Sequence, residues 1–438
     1  LWITVDEWFM WEWVPEIGEF GPYVQSKRKD LYKKYALELV EKDAAYFCFC
    51  PKIDRDVEVV DPKLYDIHDR VCRNLSKEEI DSKIEAGERY VIKHKVPLNQ
   101  TVEINDIIHG KKIIDTNTVD DSVLLKSDGH ATYHLAHIVD DHLMETTHVI
   151  RTEEWLPSLP KHTLLFKQMG WTAPNYAHPS LIMTIDKETG NKRKFSKRKW
   201  DPTALDLISC GYLYEAVFNY VTFLGWNPGS GETKEIYSID ELKQAFSLEQ
   251  CHKAGAMFDT EKLNWMNGEY IKSFEIDKLY DRLVTYLKDF ENDFYTNTFS
   301  KFDESYNKKI LRELQTKIKK FDEYIAQTTF LYNDFEVTSE MIELLVNPKM
   351  KIEDLETAKA WIELSIKVLE SSDFATYEDL KNAFVEKIKN ANMKNGQVLW
   401  PTRVALSWEE FSPWALELIF ILGNKKSTQR LQNILKKI

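Results

Sequence analysis

Hydrophobic positions along the chain change their period several times. From Ser26 to Asp43, Leu31, Tyr35 and Leu39 recur at four-residue spacing among charged neighbours, which predicts an amphipathic helix. Residues Tyr46 to Cys50 alternate and predict a short strand. Between Pro51 and His130, turn residues separate short runs; Tyr90–Lys95 reads as strand and Lys77–Glu85 as a small helix. Leu135–Trp155 and Lys161–Met169 read as the strand and helix pieces of an α/β unit, and a basic loop, Asn191–Lys199, follows. Beyond Asp201 the pattern is helical almost to the end: Trp361, Leu364 and Val368 make one stripe, Phe384 and Ile388 another. The stretch through Phe20 is aromatic without a period. This order predicts an α/β region followed by an all-α region.

A length of 438 residues leaves room for two to four domains. The net charge of -13 argues against attraction of nucleic acid by the chain as a whole, although a local basic stripe on an acidic body still serves. Five cysteines, an odd number, do not form a disulfide framework and suit a reducing cytoplasm. No apolar run is long enough to span a bilayer, and Asp6 and Glu7 interrupt any leader at the start.

Candidate chemistry falls in a few places. Lys192, Arg193, Lys194, Lys197, Arg198 and Lys199 put six cations on one loop, suited to a polyphosphate or, more blandly, to a solvated surface. Arg151, taken alone, reads as the partner of Glu153 or Glu154 in a strand-end ion pair. Asp140 and Asp141 read as structural. Cys48, Cys50 and Cys72 have metal spacing with a gap, and the residues alone leave a metal site and three metal-free thiols equally open. Cys210 and Cys251 lie apart and read as packing.

Three segments together carry a family likeness. They are Gly21-Pro22-Tyr23 with Gln25, Ser26 and Arg28; Tyr133-His134-Leu135-Ala136-His137 through His148-Val149-Ile150-Arg151; and Lys194-Phe195-Ser196-Lys197-Arg198. In this order they resemble the bacterial-type glutamyl-tRNA synthetases of class I, the last being similar to the KMSKS loop. Asn264-Trp265-Met266-Asn267-Gly268 and Trp400-Pro401-Thr402-Arg403 extend the likeness over essentially the whole chain. It implies a Rossmann-type catalytic domain, incomplete at its start, over residues 1–45 and 130–205. An acceptor-arm-binding α+β insertion is expected over 46–129, a helical stem-contact domain over 206–285 and a helical anticodon-binding domain over 286–438.

The resemblance also implies roles. Glutamate and ATP, with Mg, would give glutamyl-adenylate, and the terminal adenosine of tRNA(Glu) would then take the glutamyl group, tRNA being needed even for the first step. Lys197 would contact the triphosphate with Lys194, Ser196 and Arg198 assisting, and backbone at Leu181 and Ile182, within His178–Met183, would hold the adenine. Arg151, Tyr133 and His137 would bind glutamate; His137 stands where the family pattern often has Asn. Zinc would take Cys48, Cys50 and Cys72 with Tyr65 or His68 as the fourth ligand, Asn74 standing where some relatives offer His. Arg403 would meet an anticodon base, and Lys308, Lys309, Lys317, Lys319, Lys320, Lys425, Lys426, Lys436 and Lys437 would offer phosphate contacts. A cytoplasmic monomer is expected. A non-catalytic tRNA-binding protein, or an enzyme that also charges tRNA(Gln), are the alternatives.

Two features depart from the family pattern. No His-x-Gly-His occurs, so a chain of this sequence alone is expected not to make adenylate. Glycine is 15 residues and tryptophan 13, and Trp2, Trp8, Trp200, Trp408 and Trp414 stand where the family pattern has glycine, with Trp11 and Trp13 less surely in the same set. This predicts a gene that reads UGA as glycine, translated with a table that assigns tryptophan. Divergence, with tryptophan carried on exposed loops, is the alternative, and an intact mass of the native protein separates the two.

Overall fold

The computed structural model describes residues 17–50, 70–229, 231, 233–334, 337–371, 373–409 and 412–438. Tyr65, His68, Trp2, Trp8, Trp11 and Trp13 lie outside the described residues. The chain divides into two compact units, one formed by 1–194, 225–229 and 246–257, the other by 195–224, 230–245 and 258–438.

In the first unit, helix α1 (Lys29–Glu41) buries Tyr32, Ala36 and Leu39 completely, at the i, i+4, i+7 spacing of one helical face. The predicted stripe is therefore rotated by one residue: Leu31 and Tyr35 pack partly buried on its flank. Strand β1 (Ala45–Cys48) is buried throughout and pairs antiparallel with β2 (Val91–His94), which pairs antiparallel with β5 (Val123–Leu125). Between them lies α2 (Lys77–Glu85), started by a capping box in which Ser76 and Glu79 satisfy each other's backbone amides.

A second sheet has the order β4-β3-β7-β6, from β3 (Thr101–Asp106), β4 (Gly110–Asp115), β6 (His148–Ile150) and β7 (Asn175–Ala177). Strands β3, β7 and β6 run parallel, and β4 closes a hairpin on β3. This sheet takes strands from both sides of the boundary expected at residue 130. Helices α3 (Tyr133–Leu143) and α4 (Leu159–Met169) supply Leu135, Ile138, Val139, Leu165 and Phe166 to the core over the first sheet. A third sheet, β10-β8-β9, joins the hairpin of β8 (Ile182–Ile185) and β9 (Lys192–Lys194) to β10 (Ala256–Met257).

Asp140 ties α3 to α1. Its Oδ1 accepts from Arg28 Nε at 2.9 Å and its Oδ2 from the Tyr32 hydroxyl at 2.7 Å. Arg28 also donates to the carbonyls of Pro22 and Phe20, which fixes the loop before α1. The structural role expected of Asp140 is thus what its partners show.

The second unit is helical apart from its loops. Leu279, Leu283, Ile310, Leu311, Leu418 and Ile434 belong to one continuous core, joined by Phe384 and Ile388 of the predicted stripe. In the helix Leu355–Ser371 Val368 is buried, while Trp361 and Leu364 pack at its edge. Gly211 has φ +88°, and a Cβ there would lie 2.6 Å from the backbone nitrogen of Asp322, so the turn admits only glycine. Two of the suspect tryptophans, Trp200 and Trp408, hold left-handed backbone at φ +60°. Trp414 does not, with φ -61°. No helix among the described residues is long and apolar enough to cross a membrane.

Candidate active site

Three parallel strands end at one place. The alternation of Thr101–Asp106 puts Val102, Ile104 and Asp106 on the buried face, so β3 ends with a carboxylate where an apolar side chain would otherwise sit. Just past β7 comes His178, and just past β6 comes Arg151, whose backbone amide donates to Ala177 O. The carboxyl ends of parallel strands are where open α/β sheets bind ligands.

These side chains form a chain of hydrogen bonds. Asp106 Oδ2 lies 2.6 Å from His178 Nδ1, and both residues are essentially inaccessible. Arg151 Nε donates to His178 Nε2 at 3.0 Å, its NH1 to the Tyr133 hydroxyl at 3.1 Å, and its NH2 to His162 Nδ1 at 3.0 Å. His162 Nε2 in turn lies 3.0 Å from His134 Nδ1. The rings of Tyr176, Trp155 and Tyr133 surround the guanidinium at 5.4, 5.5 and 5.9 Å.

Among the described residues Arg151 has no carboxylate partner. Glu153 accepts instead from the amide of Leu181, and Glu154 pairs with Lys194. Burial opposes the charge of Asp106, but hydrogen bonds from His178 and from the amides of His109 and Ile108 outweigh it and hold the carboxyl below its ordinary value. Burial pushes His178 and His162 down, and it brings His134 and the fully buried His94 to about 4.

Tyr133 is half exposed and His137 stacks on it, 5.3 Å between ring centroids; His137 Nδ1 meets Asp141 at 2.7 Å and Nε2 meets the Tyr176 hydroxyl at 3.2 Å. Both line a cleft of about 430 Å³ with Gln25, Lys126, Ala131, Thr132, Ala136 and Asp140. Tyr133, His137 and Arg151, expected together, are together. Asp106, Tyr176, His162 and the side chain of His178 were not expected; the acid on the buried face of an alternating strand was the signal for Asp106.

The expected phosphate loop begins in the first unit, where Lys194 ends β9, and continues in the second, where Lys197, Arg198 and Lys199 form one exposed 3-10 turn. The amide of Ser196 donates to Asp201 at 2.6 Å and shapes that turn. Leu181 and Ile182 stand at the start of β8, beside β10.

Cys48, Cys50 and Cys72 place their sulfurs within 4.8 Å of one another, Cys50 and Cys72 at 3.5 Å. Burial raises Cys48 against hydrogen bonds from Cys50 that lower it, while burial together with the Cys72 and Cys48 thiols pushes Cys50 up to about 12. Three such sulfurs are a group able to hold a metal ion, one donor short of a tetrahedral set among the described residues.

In the second unit Arg403 is buried, donating to Ser412 Oγ at 3.0 Å and lying 4.7 Å over the Trp400 ring. Of the lysines expected to meet phosphates, Lys308 pairs with Asp277 and Glu304, Lys317 with Glu417, and Lys320 with Asp322. Lys309 lies 3.9 Å over the Phe420 ring and Lys426 donates to Leu331 O. Lys425, Lys436 and Lys437 are exposed.

Residues 4–265 match the family described as tRNA synthetases class I (E and Q), catalytic domain, and residues 278–435 match the anticodon binding domain. The chain is 40% identical over 427 residues to a glutamate--tRNA ligase of Clostridium botulinum, covering 95% of this chain and 83% of that protein. It is 40% identical over 430 residues to one of Clostridium novyi, covering 97% and 84%. Its fold is similar to a glutamate tRNA ligase of Elizabethkingia meningosepticum solved with its amino acid, with TM-score 0.76 and 29% identity over 96% of this chain and 85% of that one. A glutamate-tRNA synthetase of Elizabethkingia anophelis gives TM-score 0.77 and 30% identity at the same coverage. With both its catalytic and its anticodon-binding regions matched, this chain belongs to the class I tRNA synthetases of the E and Q type.

Proposed function

We propose that the protein is a glutamate–tRNA ligase that joins glutamate to ATP as glutamyl-adenylate and then esterifies the 3′ end of tRNA(Glu). The observation that carries this reading is Arg151, a cation at the end of a parallel strand with no carboxylate partner among the described residues. A guanidinium has five N–H groups, and three are engaged, which leaves two, one on each terminal nitrogen. That pair suits the side-chain carboxylate of glutamate, and the Tyr133 hydroxyl, which accepts from Arg151, keeps its own proton to donate.

The attacking α-carboxylate of glutamate is already ionised, so adenylate formation needs no protein base. The work is to neutralise charge on the phosphates. Lys194, Lys197 and Arg198 take that role in this reading, with Ser196 ordering the loop and the backbone at Leu181 and Ile182 against adenine; Mg enters with ATP. The helical second unit reads the anticodon, with Arg403 directed at a base after release from Ser412. Zinc suits Cys48, Cys50 and Cys72, where it would pin β1 to the segment around Cys72, a structural role. The protein works as a cytoplasmic monomer.

The test is charging of tRNA(Glu) and tRNA(Gln) transcripts with labelled glutamate by the full-length protein. Glutamyl-tRNA(Glu) is expected, and charging of tRNA(Gln) as well would widen the substrate range. Binding of tRNA with no charging of either would contradict the reading. Native mass spectrometry is expected to show one zinc, lost in Cys48→Ser.

A further inference from the structure

We propose that His162 and His178 are positioning residues that aim Arg151 at its ligand, and that they do so as hydrogen-bond acceptors in the neutral form. This rests on the assignment of Arg151 to the glutamate side chain.

Arginine can only donate. The ring nitrogens that receive its protons, His178 Nε2 and His162 Nδ1, must therefore carry lone pairs. The other nitrogen of each ring then bears the proton, and each has an acceptor waiting. His178 Nδ1–H faces the buried Asp106 carboxylate, and His162 Nε2–H faces His134 Nδ1, which leaves the His134 proton on Nε2. Every tautomer in the chain is set by the fixed donor at one end.

A second proton on either ring would turn an acceptor toward the guanidinium into a donor, N–H against N–H, beside a like charge. Burial is the main opponent of a second proton on His162, and the charges of His137, Arg151, His134 and Lys161 add to it. For His178, burial, Arg151 and His109 oppose the proton while Asp106 favours it, and the balance keeps the ring neutral.

A carboxylate in place of either histidine would have held Arg151 more strongly, at the cost of its charge. Neutral imidazoles grip the guanidinium from the Nε and NH2 edges while leaving its positive charge for the incoming anion. The grip also decides which two N–H groups face outward. Loosening it should misplace them and weaken glutamate selectively.

The experiment is steady-state pyrophosphate exchange by the full-length protein with tRNA(Glu), measuring KM for glutamate and for ATP separately. His162→Leu is expected to raise KM for glutamate about 30-fold, with KM for ATP within about twofold. His162→Asn, whose amide oxygen can stand near the Nδ1 position, should recover most of that loss. His178→Gln, which keeps an acceptor near Nε2, should cost about fivefold and serves if His162→Leu folds poorly. Unchanged glutamate KM in His162→Leu, equal rises in both KM values, or no recovery in His162→Asn would overturn the proposal. Arg151→Lys separates the two layers. If it raises KM for glutamate while His162→Leu does not, the positioning role fails and the pocket assignment stands; if it too is silent, both fall.

Discussion

Arg151 and Lys308 are both cations held by several partners, but the partners differ in charge. Around Arg151 stand two imidazoles, the Tyr133 phenol and the rings of Trp155 and Tyr176, with Asp106 one histidine away. Around Lys308 stand Asp277 and Glu304, and its charge is spent within the chain. Lys317 and Lys320 in the helical unit follow the second pattern, as does Arg28 on Asp140 in the catalytic unit. A cation satisfied by neutral acceptors keeps its attraction for an incoming anion; one satisfied by carboxylates has little left to offer. Counting basic residues therefore does not separate the two kinds of cation, and asking what each one is already paired with does.

The contrast has measurable consequences. Arg151→Gln should cost roughly 300-fold in kcat/KM for glutamate, about 3–4 kcal/mol, because it removes a charge-assisted bidentate contact and leaves neutral acceptors without a donor. Asp106→Ala removes the acceptor of His178 and of two backbone amides. It should lower stability by about 3 kcal/mol in denaturant titration, with m unchanged.

Acid should act on the same region. His94 and His134 have folded values near 4, below the ordinary value of 6.5. Between those limits the unfolded chain binds protons that the folded one excludes, so stability is full above about pH 6.5 and falls progressively toward pH 4. Thermal melts across that range check it, and His94→Gln should flatten the slope.

Lys317→Ala marks the other side of the contrast and should change tRNA affinity less than about threefold by filter binding. A change of tenfold or more would mean its pairing with Glu417 opens to admit a phosphate. Trp200→Gly should have the smallest effect, about 0.5–1 kcal/mol in favour of the fold. It relieves left-handed backbone while removing a side chain that is 94% exposed.

Much of this was legible in the sequence, and the parts that were not have physical reasons. The helix α2 has the predicted bounds because its signals are local: Ser76 caps it and Glu79 completes the box. The place of Tyr133, His137 and Arg151 came from spaced motifs, and no local signal would have found it. The stripe of α1 slipped by one residue because Tyr32, anchored through its hydroxyl to Asp140, takes the buried face with Ala36, a pairing that tertiary contact decides and the local spacing does not. His162 and His178 were not legible as site residues. One lies on α4 among leucines and the other past β7, and only the parallel pairing of β6 with β7 brings the second beside Arg151.

Of the acids that pair with these lysines, Glu304 lies one helical turn from Lys308 and was legible, whereas Asp277 and Glu417 are distant in sequence from Lys308 and Lys317, so those pairings are tertiary facts. The tryptophans at glycine positions gain a conformational argument at Trp200 and Trp408, both left-handed, and none at Trp414. The intact mass of the native protein decides whether those two residues are tryptophan.

The measurement to make first is glutamate-dependent pyrophosphate exchange, with tRNA(Glu) present, by the full-length protein and its Arg151→Gln variant. A fall of roughly 300-fold in kcat/KM for glutamate with KM for ATP unchanged is the predicted result. Equal activity of the two proteins would contradict the account, because Arg151, left without a carboxylate partner among the described residues, would then not be what binds the substrate.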